Sequence, residues 1–119
     1  MEMEESTLRL VRAYARPGAR ILDAGVGLAR ILSRVPELDR YGMDISFAYL
    51  REARSKGIDV CYARVEDMPY AAETFDVVLA TDILEHVLDV NLCAAKMLAV
   101  LKRGGVLIAR VPSGTCAST

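Results

Sequence analysis

The sequence predicts an α/β fold in which five parallel strands, in the order 3-2-1-4-5, alternate with helices on both faces. Two stretches carry that prediction. The first begins at Arg20-Ile21-Leu22-Asp23, a short apolar run ending in an acid, followed by glycines at alternate positions, Gly25 and Gly27. Leu28, Ile31, Leu32 and Val35 then recur at helical spacing up to Pro36. Strand, glycine turn and helix together form a nucleotide-binding crossover: the glycines let a ligand lie against bare backbone, and the helix start supplies free N–H groups. The second stretch is Val77-Val78-Leu79-Ala80, apolar at every position, which reads as a central parallel strand buried on both faces.

The other elements follow in order. From about Ser6 to Ala15 the spacing of Leu8, Val11 and Ala15, with Arg9 and Arg12 opposite, predicts a helix that Pro17-Gly18 ends. Asp39 to Asp44 is a second strand with an acid at its carboxyl end, and Ser46 caps a helix that stops at Gly57. Asp59 to Arg64 is a third strand. Val90, Cys93, Ala94, Met97, Leu98 and Leu101 form a helical stripe that belongs to the core, closed by Lys102, Arg103 and Gly104. Val106 to Val111 is the fifth strand, and the tail over 112–119 is small and polar, with no structural signal.

Composition narrows the function. The 119 residues are 53% hydrophobic and 26% charged, enough for one domain over 1–119 with a real core. With 15 basic and 16 acidic side chains there is no excess positive field for nucleic acid or an anionic membrane. No apolar stretch reaches membrane-spanning length, and the acidic start lacks the pattern of a secretory signal. Cys61, Cys93 and Cys116 are odd in number and widely spaced, as in a reduced cytoplasmic protein.

The glycine turn also selects its ligand. A dinucleotide fingerprint needs a third glycine where Arg30 stands, and Asp23 repels a pyrophosphate. An acid there suits a cationic ligand such as the ammonium and sulfonium of S-adenosylmethionine. Asp44 lies about 20 residues past the turn, where a carboxylate accepts hydrogen bonds from both hydroxyls of a ribose.

With its Asp23-x-Gly25-x-Gly27-x-Ala29 motif the chain resembles the class I S-adenosylmethionine-dependent methyltransferases, in which the last of these positions is usually glycine. Phe75-Asp76-x-Val78, continuing to Leu84-Glu85-His86-Val87, resembles the fourth-strand motif of their small-molecule branch, including the quinone-biosynthesis type. The resemblance implies a Rossmann-like domain whose cleft lies between strands one and four, and an N-terminal helix (residues 1–16) beside it. It implies S-adenosylmethionine as cofactor, with Asp23, Gly25, Gly27, Asp44, Ile45 and Thr81 around it, and with Asp67 and Met68 at the adenine. Thr81 and Asp82 face the acceptor, and His86 has a titration range suited to taking a proton from a hydroxyl or amine. Related enzymes that hold a metal add a later histidine to an E-x-x-E-H segment; none follows His86, so no metal is expected.

The expected activity is methyl transfer to a small-molecule acceptor. The alternatives are a non-catalytic cofactor-binding subunit, a fragment needing a partner, and a nicotinamide-dependent oxidoreductase, which Arg30 and Asp23 oppose. The family normally continues with a further helix and two more strands that cover strand five. Their lack here predicts a bare apolar edge at 106–111, covered by a second copy (a dimer or larger homo-oligomer) or another partner.

Overall fold

The computed structural model describes residues 3–81, 89–111 and 114–118. Its strands are β1 (Arg20–Asp23), β2 (Asp39–Asp44), β3 (Asp59–Tyr62), β4 (Phe75–Ala80), β5 (Leu101–Val111) and β6 (Gly114–Ser118). They form one sheet in the order β3-β2-β1-β4-β5-β6. The first five are parallel in the expected order, and β6 runs antiparallel to β5. The helices are α1 (Met3–Tyr14), α2 (Phe47–Ser55) and α3 (Val90–Ala99).

Alternation along the strands builds two cores. Ile21, Val77, Leu79, Val106 and Ile108 face one side, where Leu8 and Val11 of α1 and Leu50 and Ala53 of α2 cover them. Leu22, Val78, Ala80 and Leu107 face the other, under Cys93 and Met97 of α3. Phe75 lies in this second core, its ring edge-on to Tyr41 and Tyr70. Among the described residues no helix is long and apolar enough to cross a membrane.

Three expectations need correction. The stretch after the glycine turn is not a regular helix: a 3-10 turn at Leu32–Arg34 is its only helical segment. Gly27 and Ala29 take positive φ, +50° and +58°, and Pro36 ends the stretch, so too few residues remain between Ala29 and Pro36 to propagate a helix. Of the helical stripe, Cys93 and Met97 are buried while Val90 and Leu98 are exposed, and the helix ends at Ala99 because Leu101 to Gly104 belong to β5. There Phe75 pairs with Leu101 and Val77 with Val106, so Lys102 to Gly105 bulge out of the ladder.

The third correction concerns the tail and the edge it was expected to leave open. Backbone pairing needs no apolar signal, and Gly114 to Ser118 pair with Val111 to Leu107. The outer edge of β5 is therefore covered over 107–111 by the chain itself.

Gly42 sets how closely the glycine loop approaches the sheet. A Cβ on it would lie 2.8 Å from Val26 Cγ2 and 2.9 Å from Val26 Cβ, and turning the valine about χ1 does not relieve the contact with Cβ. Gly42→Ala is expected to destabilise the fold by about 1–3 kcal/mol through overpacking. A urea midpoint equal to wild type would show that Val26 shifts freely.

Burial raises the pKa of the Tyr70 hydroxyl and of the Cys93 thiol. Both stay protonated in the native state where the unfolded chain releases its protons. Stability is thus undiminished below the unfolded thiol value of about 8.5 and falls as pH rises past it, then past the unfolded phenol value of about 10. Urea midpoints measured across that range should decline, and a flat profile would contradict the burial of both groups.

Candidate functional site

A cleft of about 790 Å³ opens at the carboxyl ends of β1, β2 and β4. Asp23, Gly25, Gly27, Asp44, Ile45 and Thr81 line it, so six residues named from the sequence meet in one place. The sheet explains the meeting: β1 lies between β2 and β4, and parallel strands bring their carboxyl ends to the same rim.

Asp23 is 3% exposed at the end of β1, and its Oδ1 accepts the Gly25 N–H at 3.2 Å. Ala24 N–H donates to Leu79 O at 2.9 Å and Val26 N–H to Met43 O at 2.9 Å, so the turn is tied to both flanking strands. Gly27 has φ +50°, and a Cβ there would meet nothing within 4 Å, which leaves open space above bare backbone.

Asp44 is held through both carboxylate oxygens. Its Oδ2 accepts the Gly27 N–H at 3.0 Å and its Oδ1 accepts the Ser46 N–H at 3.0 Å. These two bonds fix the carboxylate plane between the glycine turn and the start of α2. A carboxylate has roughly four lone-pair sites, so each oxygen keeps acceptor capacity for a ligand hydroxyl. Ser46 caps α2 as expected, its Oγ accepting the Tyr49 N–H at 3.2 Å.

Asp67 and Met68 fall outside the lining. Asp67 is in the 3-10 turn Val65–Asp67 and accepts from Arg64 Nε and Nη2 at 3.0 and 2.9 Å, with its side chain 64% exposed. Met68 packs against the second core. Successive residues of a 3-10 turn point about 120° apart, so while Val65 is buried its neighbours diverge, and Glu66 is the acid that lines the cleft. Asp82 and His86 lie outside the described residues, as does Glu85.

Leu28 of the glycine motif also lines the cleft, as do Tyr49, Arg110 and Glu4, which carry no motif in the sequence. Arg110 could have been found from its place near the carboxyl end of the fifth strand; its Nε donates to Thr81 O at 3.0 Å. Glu4 comes from α1 and pairs with Arg30 at 3.3 Å, while Glu5 pairs with Arg34 at 2.8 Å. These exposed pairs are worth little individually, but they locate α1 at the cleft mouth.

This donor set fits an adenosyl sulfonium ligand. It offers an oriented carboxylate for a ribose diol, open backbone at Gly27, a buried acid for a cationic end, and the apolar surfaces of Leu28 and Ile45.

Comparison with known proteins agrees. A family model described as a methyltransferase domain matches residues 22–109. The chain is 37% identical over 103 residues to a ubiquinone biosynthesis O-methyltransferase of Mesorhizobium japonicum, covering 78% of this chain and 41% of that protein. A protein of the same name from Methylocella silvestris is 37% identical over 110 residues, covering 85% of this chain and 43% of the relative. Among solved structures, a SAM-dependent methyltransferase from Thermotoga maritima superposes with a TM-score of 0.76 at 27% identity, over 91% of this chain and 51% of that one. The chain thus spans about two-fifths of the length of these curated relatives. A motif, a sheet order and a family model converge: the chain belongs to the class I S-adenosylmethionine-dependent methyltransferases.

Proposed function

We propose that the cleft binds S-adenosylmethionine and that the chain takes part in transferring its methyl group to a small-molecule acceptor. The observation that carries this reading is the Asp44 carboxylate, held by two backbone N–H groups at the cleft rim with acceptor capacity to spare. When bound, the cofactor supplies an already activated methyl group on a sulfonium.

The chain's own residues bind, orient and exclude water. Asp44 accepts hydrogen bonds from the ribose hydroxyls. Asp23 faces the cationic methionine end, either directly or through the Gly25 backbone that it orients. Leu28 and Ile45 flank the adenine, and Glu66 is better placed than Asp67 to accept from its amino group. Thr81 borders the methyl-donor end, next to Asp82, and His86 is retained as the residue to test for proton removal. The names of the relatives favour a hydroxyl oxygen as acceptor.

The free thiols Cys61 and Cys93 are in keeping with a reducing, cytoplasmic setting. A homo-oligomer stays in the proposal through β6, now the terminal strand of the described sheet, and a monomer at micromolar concentration in sedimentation removes it.

Calorimetric titration of the chain with S-adenosylmethionine and, separately, with NAD tests the reading. Binding of the first and not the second is expected; the reverse overturns it. Binding without methyl transfer to any hydroxyl acceptor favours the cofactor-binding subunit.

A further inference from the structure

The backbone after the glycine turn is not a regular helix, so several of its carbonyl groups take partners outside the loop. Lys56, at the carboxyl end of α2, donates from Nζ to Leu28 O at 3.1 Å. Arg40, on β2, donates from Nη1 to Leu32 O at 2.8 Å and from Nη2 to Lys56 O at 2.9 Å. The two cations therefore form one connected brace: Arg40 joins the loop to the end of α2, and Lys56 returns from there to the loop.

Gly57 makes room for this brace. Its φ is +83°, and a Cβ on it would stand 3.2 Å from Arg40 Nη2. The carboxyl end of α2 presents outward carbonyls, a favourable setting for a guanidinium. Neither Lys56 nor Arg40 lines the cleft, but Leu28 and Gly27 do. The Lys56 bond thus acts on ligand-facing backbone from behind.

We propose that Lys56 and Arg40 are positioning residues that hold the glycine turn in its ligand-ready shape, replacing the intrahelical bonds that a regular helix would supply. The effect on binding rests on the S-adenosylmethionine reading above. The brace itself is a property of the ligand-free protein and is measured separately.

The test compares the wild-type chain with Lys56→Met, Lys56→Arg and Arg40→Met. Its readouts are amide hydrogen exchange at Gly27 and Ala29, exchange at the β4 residues Val77 to Leu79, and calorimetric affinity for S-adenosylhomocysteine. Lys56→Met is expected to speed exchange at Gly27 and Ala29 about tenfold and to weaken binding about tenfold, the loss of one charge-assisted bond. Global stability should fall by no more than the same factor, so exchange in β4 should stay far slower than at Gly27 and Ala29. Lys56→Arg, which keeps a cationic donor, should restore most of both effects.

Should Arg40→Met fail to fold, Lys56 carries the test alone, because its side chain is 36% exposed. Unchanged exchange at Gly27 and Ala29 in Lys56→Met overturns the brace, and faster exchange with unaltered affinity overturns its positioning role. Faster exchange in a chain whose wild type does not bind S-adenosylhomocysteine leaves the brace standing and removes the cofactor reading.

Discussion

Asp44→Ala is expected to weaken binding of S-adenosylmethionine by at least about a hundredfold. Each bond from a ribose hydroxyl to a carboxylate is worth about 1.5–3 kcal/mol, and about 1.4 kcal/mol is a factor of ten. Losing two such bonds already exceeds the hundredfold mark. The substitution also strips the Gly27 and Ser46 N–H groups of the acceptors they have at 3.0 Å, so the turn loosens as the ligand contact disappears. Asp44→Asn keeps one acceptor oxygen without the charge and should fall between. Calorimetry with S-adenosylhomocysteine measures the loss, and circular dichroism confirms that the variant is folded. Affinity within about threefold of wild type would remove Asp44 from the ribose site.

The largest effect on stability is expected from Phe75→Ala. Phe75 is fully buried, with ring centroids 5.4 Å from Tyr41 and 5.0 Å from Tyr70, both edge-on. Deleting the ring costs about 3–5 kcal/mol through lost transfer energy and the cavity left behind. A domain of this size has about 5–15 kcal/mol in total, so the variant should be marginal at room temperature. Tyr70→Phe is the useful contrast. Its hydroxyl is buried with no hydrogen-bond partner among the described residues, so removing it should leave stability equal or higher. Urea unfolding checks both; a loss below about 1 kcal/mol for Phe75→Ala would mean that the second core does not depend on this ring.

What the sequence revealed and what it concealed divide along the range of the interactions involved. β1, Gly25, Gly27 and Asp44 were legible because strand, turn and acid are neighbours in the chain, each with a local steric or electrostatic reason. The cap at Ser46 and the stop at Gly57 were legible for the same reason.

The missing helix after Gly27 was not. Leu28, Ile31, Leu32 and Val35 have helical spacing, yet Leu28 is 46% exposed at the cleft while the other three are buried. Their burial is set by the sheet below, and the left-handed Ala29 breaks the path between them. Asp67 lies outside the cleft lining, paired with Arg64 and turned outward, and nothing in the order of motifs reveals that pairing. β6 escaped notice because its partner is the backbone of β5, which leaves no apolar trace in Gly114 to Ser118.

The most direct test of the central claim is a nitrogen-15 NMR titration of the 119-residue chain with S-adenosylhomocysteine. The account predicts that the amides of Gly25, Gly27, Ile45, Ser46 and Glu66 shift together along one binding curve, because four of them line a single cleft and the Ser46 N–H donates to its Asp44. Shifts confined to other residues, or none at millimolar ligand, would contradict it.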